Sequence, residues 1–97
     1  MFLQTNRGTV AIVNTTITTG ATSQVLQARR NNRSIISIQN TSDTAMWLNF
    51  GAVAATDVGI SIAAGASWTS APNFCPTSSI NVIGATSGKK FSYYIGF

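Results

Sequence analysis

"RSIISIQNTSDTAMWLNFG", residues 33–51, carries the pattern on which the fold turns. Successive side chains of an extended chain point to opposite faces. Ile36 and Ile38 therefore share one face, and Arg33, Ile35, Ser37 and Gln39 share the other. Residues 40–43, Asn-Thr-Ser-Asp, are of turn type. The alternation then resumes with Met46, Leu48 and Phe50 opposite Trp47 and Asn49, and stops at Gly51. The reading is two half-buried strands separated by a turn.

The same period continues toward the C-terminus. "GAVAATDVG", residues 51–59, reads as a loop of small residues, and "VGISIAAG", residues 58–65, puts Val58, Ile60 and Ile62 on one side with a turn at Gly65. "ASWTS" at 66–70 is a short strand carrying Trp68, and "APNFCPTS" at 71–78 is a loop broken by Pro72 and Pro76. "SINVIG" at 79–84 sets Ile80 and Val82 against Asn81 and Ile83. "ATSGKK" at 85–90 reads as a hairpin turn in which Gly88 takes positive φ. "FSYYIGF" at 91–97 closes with Phe91, Tyr93, Ile95 and Phe97 on one face.

The first third is looser. Residues 9–13 and 16–19 are two short strand candidates separated by Asn14, and residues 23–28 offer a third. The segment is rich in Thr and poor in large apolar groups, which suits an extended arm or edge strands that complete against a neighbour. With Glu absent and Thr, Val, Ile and Ser abundant, no stretch reads as a helix. The expectation is all-β: a compact antiparallel β-sandwich of seven to nine short strands, jelly-roll-like, with an extended Thr-rich N-terminal segment. Within this single domain, residues 1–30 form the arm or edge strands and 31–97 the sandwich.

Composition narrows the function. Of 97 residues only 8% are charged, against a usual ~25%, so solubility rests on Ser, Thr, Asn and Gln. Such a surface suits a protein that lives packed against other proteins. The net charge of +4 comes from Arg7, Arg29, Arg30, Arg33, Lys89 and Lys90 against Asp43 and Asp57. Six cations are few for binding through phosphates, which often takes six to ten contacts.

With no histidine, a Ser-His-Asp or Cys-His arrangement cannot be built, and one cysteine with two aspartates makes no structural zinc site within one chain. A glycosidase pair requires Asp43 and Asp57 to converge, yet both sit in turn-like stretches where Asp is common for backbone reasons. "GATSGKK" departs from the phosphate-binding loop, its glycine spacing being one residue short and no helix following. The expectation is therefore a protein that is not an enzyme and carries no cofactor or metal. Cys75 is alone and reads as a buried small apolar residue. The N-terminus lacks the layout of a signal peptide, and no apolar run approaches the ~20 residues of a spanning helix. The expectation is a soluble, non-secreted chain with no membrane partner.

Candidate contact residues remain. Arg29, Arg30 and Arg33, half of the cations, fall within five positions. They read as a solvated loop, as a protein contact, since arginine forks bind carboxylates and carbonyls, or as a nucleic-acid contact, the weakest of the three for lack of nearby aromatics. Trp47, Trp68, Tyr93 and Tyr94 read as core packing and intersubunit contact ahead of a sugar- or base-stacking platform. Trp47, opposite its apolar neighbours, belongs to the outer face or a second interface.

From Arg33 onward, "RSIISIQN", "WLNFG", "GISIAAGASW", "INVIGATSG" and "FSYYIGF", in that order, resemble small structural proteins of tailed-bacteriophage virions. The resemblance covers about two thirds of the chain and none of residues 1–30. It implies a β-sandwich module that coats a capsid or sits on a fibre or tail tip, and small capsid-decorating (cement) proteins of this kind often form homotrimers at local three-fold positions of the shell. The expected function is thus a decoration protein on the capsid surface, assembled in the host cytoplasm. It would bridge subunits of the major capsid protein, with Arg29, Arg30 and Arg33 on its acidic groups and the Thr-rich segment on the shell or swapped onto a neighbour. A head-fibre or tail-fibre module binding host glycan through Trp47 or Tyr94 is the alternative, and a small basic nucleic-acid-binding β-barrel the third.

Overall fold

The computed structural model describes residues 10–71 and 74–97. The expected strand start at Thr9, the cation Arg7 and the breaker Pro72 lie outside them. The described residues form eight strands and no helix: β1 (Val10–Thr16), β2 (Gln24–Gln27), β3 (Ile35–Gln39), β4 (Met46–Phe50), β5 (Ile60–Ile62), β6 (Ser67–Thr69), β7 (Ile80–Gly84) and β8 (Lys90–Gly96). They make two antiparallel four-stranded sheets, ordered β1-β8-β3-β6 and β2-β7-β4-β5. Asn14 does not interrupt the first strand, since β1 keeps unbroken register with β8 from Val10↔Gly96 to Thr16↔Lys90. Of the second candidate, 16–19, only Thr16 belongs to a strand, and residues 17–19 lie in the β1–β2 connection.

The alternating faces meet in one core. Ile36, Ile38, Phe91, Tyr93 and Ile95 from the first sheet pack with Met46, Leu48, Ile62, Ile80 and Val82 from the second, and Ile17 joins them from the β1–β2 connection. Each such side chain, once buried, contributes about 1.5–3 kcal/mol. Tyr93 also links the sheets by hydrogen bonds: its hydroxyl donates to the Leu26 carbonyl (3.3 Å) and accepts from Gln27 Nε2 (3.2 Å).

β7 departs from simple alternation, because Asn81 and Ile83 on its outer side are buried as well. The small-residue loop after β4 lies across that side. Asn81 Nδ2 donates to the Ala52 carbonyl (2.6 Å), the Ala54 amide donates to Ser23 Oγ (2.9 Å), and Ala54 is itself buried. Gly59 ends this loop at φ +87°, where a Cβ would collide with the Leu48 carbonyl oxygen, so only glycine fits.

The connections correct one expectation. Gly88 has the positive φ read from sequence (80°), but the 85–90 turn is not a hairpin, since β7 and β8 belong to different sheets. Residues 40–43 likewise carry the chain from one sheet to the other. Among the described strands only β4 and β5 are sequence neighbours paired in one sheet. The remaining pairs are long-range: β1 with β8, β2 with β7, β3 with β6 and with β8, and β4 with β7. Turn residues reverse the chain, but they do not choose the strand's partner.

Candidate functional site

The arginine cluster divides into one internal residue and two surface ones. Arg33, just before β3, is 6% exposed. Its Nη1 donates to the carbonyls of Pro76 (3.1 Å) and Ser78 (2.7 Å), and its Nη2 to that of Ala28 (2.6 Å). Burial pushes the guanidinium below the ordinary arginine range, with a smaller opposing effect from Cys75. The group strapped to three carbonyls is thus a structural tie, and its guanidinium is not offered to a partner. The Cys75 thiol shares the Pro76 carbonyl at 3.8 Å and is half-buried.

Arg29 and Arg30 remain exposed. The Arg30 amide donates to the Thr77 carbonyl (2.8 Å), which holds this turn against the strapped segment. The Arg30 guanidinium lies over the Phe97 ring, 4.1 Å from its centroid. At an exposed site such a cation–π contact contributes about 0.5–1 kcal/mol. Arg30→Ala is therefore expected to cost less than about 1 kcal/mol, read as a shift of a few degrees in the thermal melt.

Next to this end lies a groove of about 420 Å³ where the outer strands β5 and β6 of the two sheets face each other. Phe50, Ile60 and Trp68 line it with Ala71, Phe74 and Pro76. Phe50 and Trp68 stack obliquely, with centroids 5.6 Å apart at 45°. Phe74 is 69% exposed. The lining of the groove holds no acid, base or cysteine, so its chemistry is contact: it accepts an apolar side chain or the flat face of a ring. Pro76 joins the two features, its ring lining the groove while its carbonyl takes Arg33. Sequence reading missed the groove. Its signal was Trp68 in a three-residue strand and Phe74 between prolines, both too short to show a face.

Trp47 and Tyr94 are both half-buried and stand apart. Trp47 lies on the outer side of its sheet beside Ile83 and Ser61 in register. Tyr94 lies on the outer side of the other sheet, between Ile12 and Ser37. They do not form one platform. Asp43 and Asp57 flank β4, one before it and one after, and do not converge. Asp43 takes Lys89 Nζ at 2.7 Å. That hydrogen bond, then the Lys89 charge, holds the carboxyl below its usual range. The stabilisation is present above about pH 4 and is lost as pH falls through the lowered value; at full exposure it is slight.

No family model matches the chain, and no curated protein matches it.

Proposed function

We propose that this chain is a structural protein of a tailed-phage virion, most simply a decoration protein that bridges subunits of the shell. The observation that carries the reading is the aromatic groove with exposed arginines at the same end and no acid or base in its lining. Buried aromatics and arginines are the residues that dominate protein–protein contacts. Trp68 and Phe50 would seat an apolar anchor of the major capsid protein, while Arg29 and Arg30 meet acidic groups beside it. Many weak docking sites on one shell act together through avidity.

Two further observations support the reading. The sequence from Arg33 onward resembles such proteins. The pairing of first strand with eighth, second with seventh, third with sixth and fourth with fifth is that of a long hairpin rolled into two sheets, which supports a jelly-roll assignment. A fibre module binding glycan is a second reading favoured by the same groove, whose aromatics suit a sugar face. Trp47 and Tyr94, on opposite sheets, do not act together in it.

The test is thermal. Shells carrying the protein melt at a higher temperature than shells stripped of it, because a ligand of the assembled state stabilises it. Equal melting temperatures overturn the proposal. Trp68→Ala lowers affinity for shells roughly 30-fold, the size of a hot-spot loss. Retention on a glycan array, lost in Trp68→Ala, selects the fibre reading instead.

A further inference from the structure

Each sheet has two outer strands, and the four edges are unlike. β5 and β6 have three residues each. β2 has four, and its register shifts between Val25 and Gln27. Short edges and bulges are the ordinary means by which a sheet avoids pairing with another chain. β1 has none of them. It runs seven residues without a register break, a proline, a glycine or a charge. Its outward side chains include Ile12 at 72% exposure and Val10 at 54%.

The hydrogen bonds at the end of β1 define which groups face the open edge. The Ile17 amide donates to the Lys89 carbonyl (2.9 Å), and the Ile17 carbonyl accepts from the Gly88 amide (2.7 Å). The main-chain groups of Ile17 thus face the β8 side. Alternation along the strand gives Thr15, Val13 and Ala11 the same direction and turns Thr16, Asn14, Ile12 and Val10 outward. Gln24 bears this out, since its Nε2 takes the Thr16 carbonyl (3.1 Å) and its Oε1 accepts from the Thr18 amide (2.8 Å). That side chain plugs one end of the edge. Among the described residues, nothing pairs with the main-chain groups of Val10, Ile12 and Asn14.

We propose that this edge pairs with the same edge of a second copy, antiparallel, about a two-fold axis at Ile12. In that register Ile12 opposes Ile12, and Val10 opposes Asn14 on each side. All three outward-facing residues then find partners, forming about six main-chain hydrogen bonds. The two Ile12 side chains, largely exposed in one copy, cover each other. With no charge between Val10 and Thr16, two identical edges meet without like charges opposed. This self-complementarity selects a second copy as the occupant. The result is one continuous eight-stranded sheet across a two-fold dimer. The contact does not depend on what the aromatic groove binds. It differs from the three-fold association that the phage resemblance implies, because three copies about a three-fold axis cannot each oppose Ile12 to Ile12.

Sedimentation equilibrium on the full chain tests it. A dimer mass is expected. Ile12→Asp weakens the dimer roughly 100-fold, by opposing two carboxylates where two isoleucines met, and leaves the circular dichroism spectrum unchanged. In a Cys75→Ser background, Ile12→Cys forms a disulfide-linked dimer on mild oxidation, since directly opposed bonded residues stand about 5.5 Å apart at Cα, within disulfide range. Ala11→Cys, facing the other way, forms none. A monomer or trimer mass for the wild type, an Ile12→Asp variant that stays dimeric, or no cross-link from Ile12→Cys overturns the proposal.

Discussion

Arg33→Ala melts roughly 15 °C or more below the wild type, a loss of about 3–4 kcal/mol. The expectation follows from what the side chain holds. Three carbonyls, of Ala28, Pro76 and Ser78, are satisfied by one buried guanidinium. They belong to stretches 43 and 45 residues ahead of Arg33 and 5 residues behind it. Alanine takes this donor from the Ala28 and Ser78 carbonyls and leaves the Pro76 carbonyl only the weak Cys75 thiol, in a partly buried site, and an unmet buried polar group costs about 1–3 kcal/mol. The individual losses do not add, because the loosened 74–78 segment relaxes toward solvent. Arg33→Lys recovers only part of the loss, since one ammonium is not a planar fork. The same variant should weaken whatever the groove binds, because Pro76 loses its tie. Thermal denaturation followed by circular dichroism decides the matter. A melt within two or three degrees of the wild type would show that the strap contributes little.

Asn40→Ala is the second large effect, at about 2–3 kcal/mol. Asn40 is 2% exposed and sits where β3 leaves the first sheet. Its Nδ2 donates to the carbonyls of Thr44 (2.7 Å) and Ile62 (3.0 Å), and its Oδ1 accepts from the Ser42 amide (3.1 Å) and hydroxyl (2.6 Å). Ile62 belongs to the other sheet, so the amide clasps one sheet to the other. Asn40→Asp separates the clasp from simple filling of space. A carboxylate has no hydrogen to give to the two carbonyls, whereas its protonated form has one. The folded state therefore raises that carboxyl's pKa above about 4, and the variant loses stability as pH rises through that value. A melting temperature for Asn40→Asp that does not fall between about pH 4 and pH 7 would refute the role given to Nδ2.

Much of the fold was legible where the chain alternates. Ile36 with Ile38, Met46 with Leu48, and Phe91 with Tyr93 and Ile95 all face the core as their parity indicates. The outward placement of Trp47 and Tyr94 follows from the same parity. The two faces of β7 follow its parity, but the burial of its outer face does not, because the loop that caps Asn81 comes from about 29 residues earlier and has no pattern of its own. Arg33 read like its neighbours Arg29 and Arg30, since nothing nearby in sequence marks the carbonyls it meets. The groove was invisible for a similar reason. Phe50, Trp68 and Phe74 come from three separate stretches, and none shows a shared face until β5 and β6 are brought together.

The amino-acid order alone determined that this chain is all strand, which side of each strong strand is apolar, and that histidine-based catalysis is absent from its repertoire. Alternation is a local property, written by two bonds of geometry per residue. Only the tertiary structure decided that most neighbouring strands part company into opposite sheets, that one arginine of three turns inward, and that β1 has no partner on its outer edge among the described residues. Those outcomes depend on pairings across most of the chain's length, where the core chooses among partners that look alike in sequence.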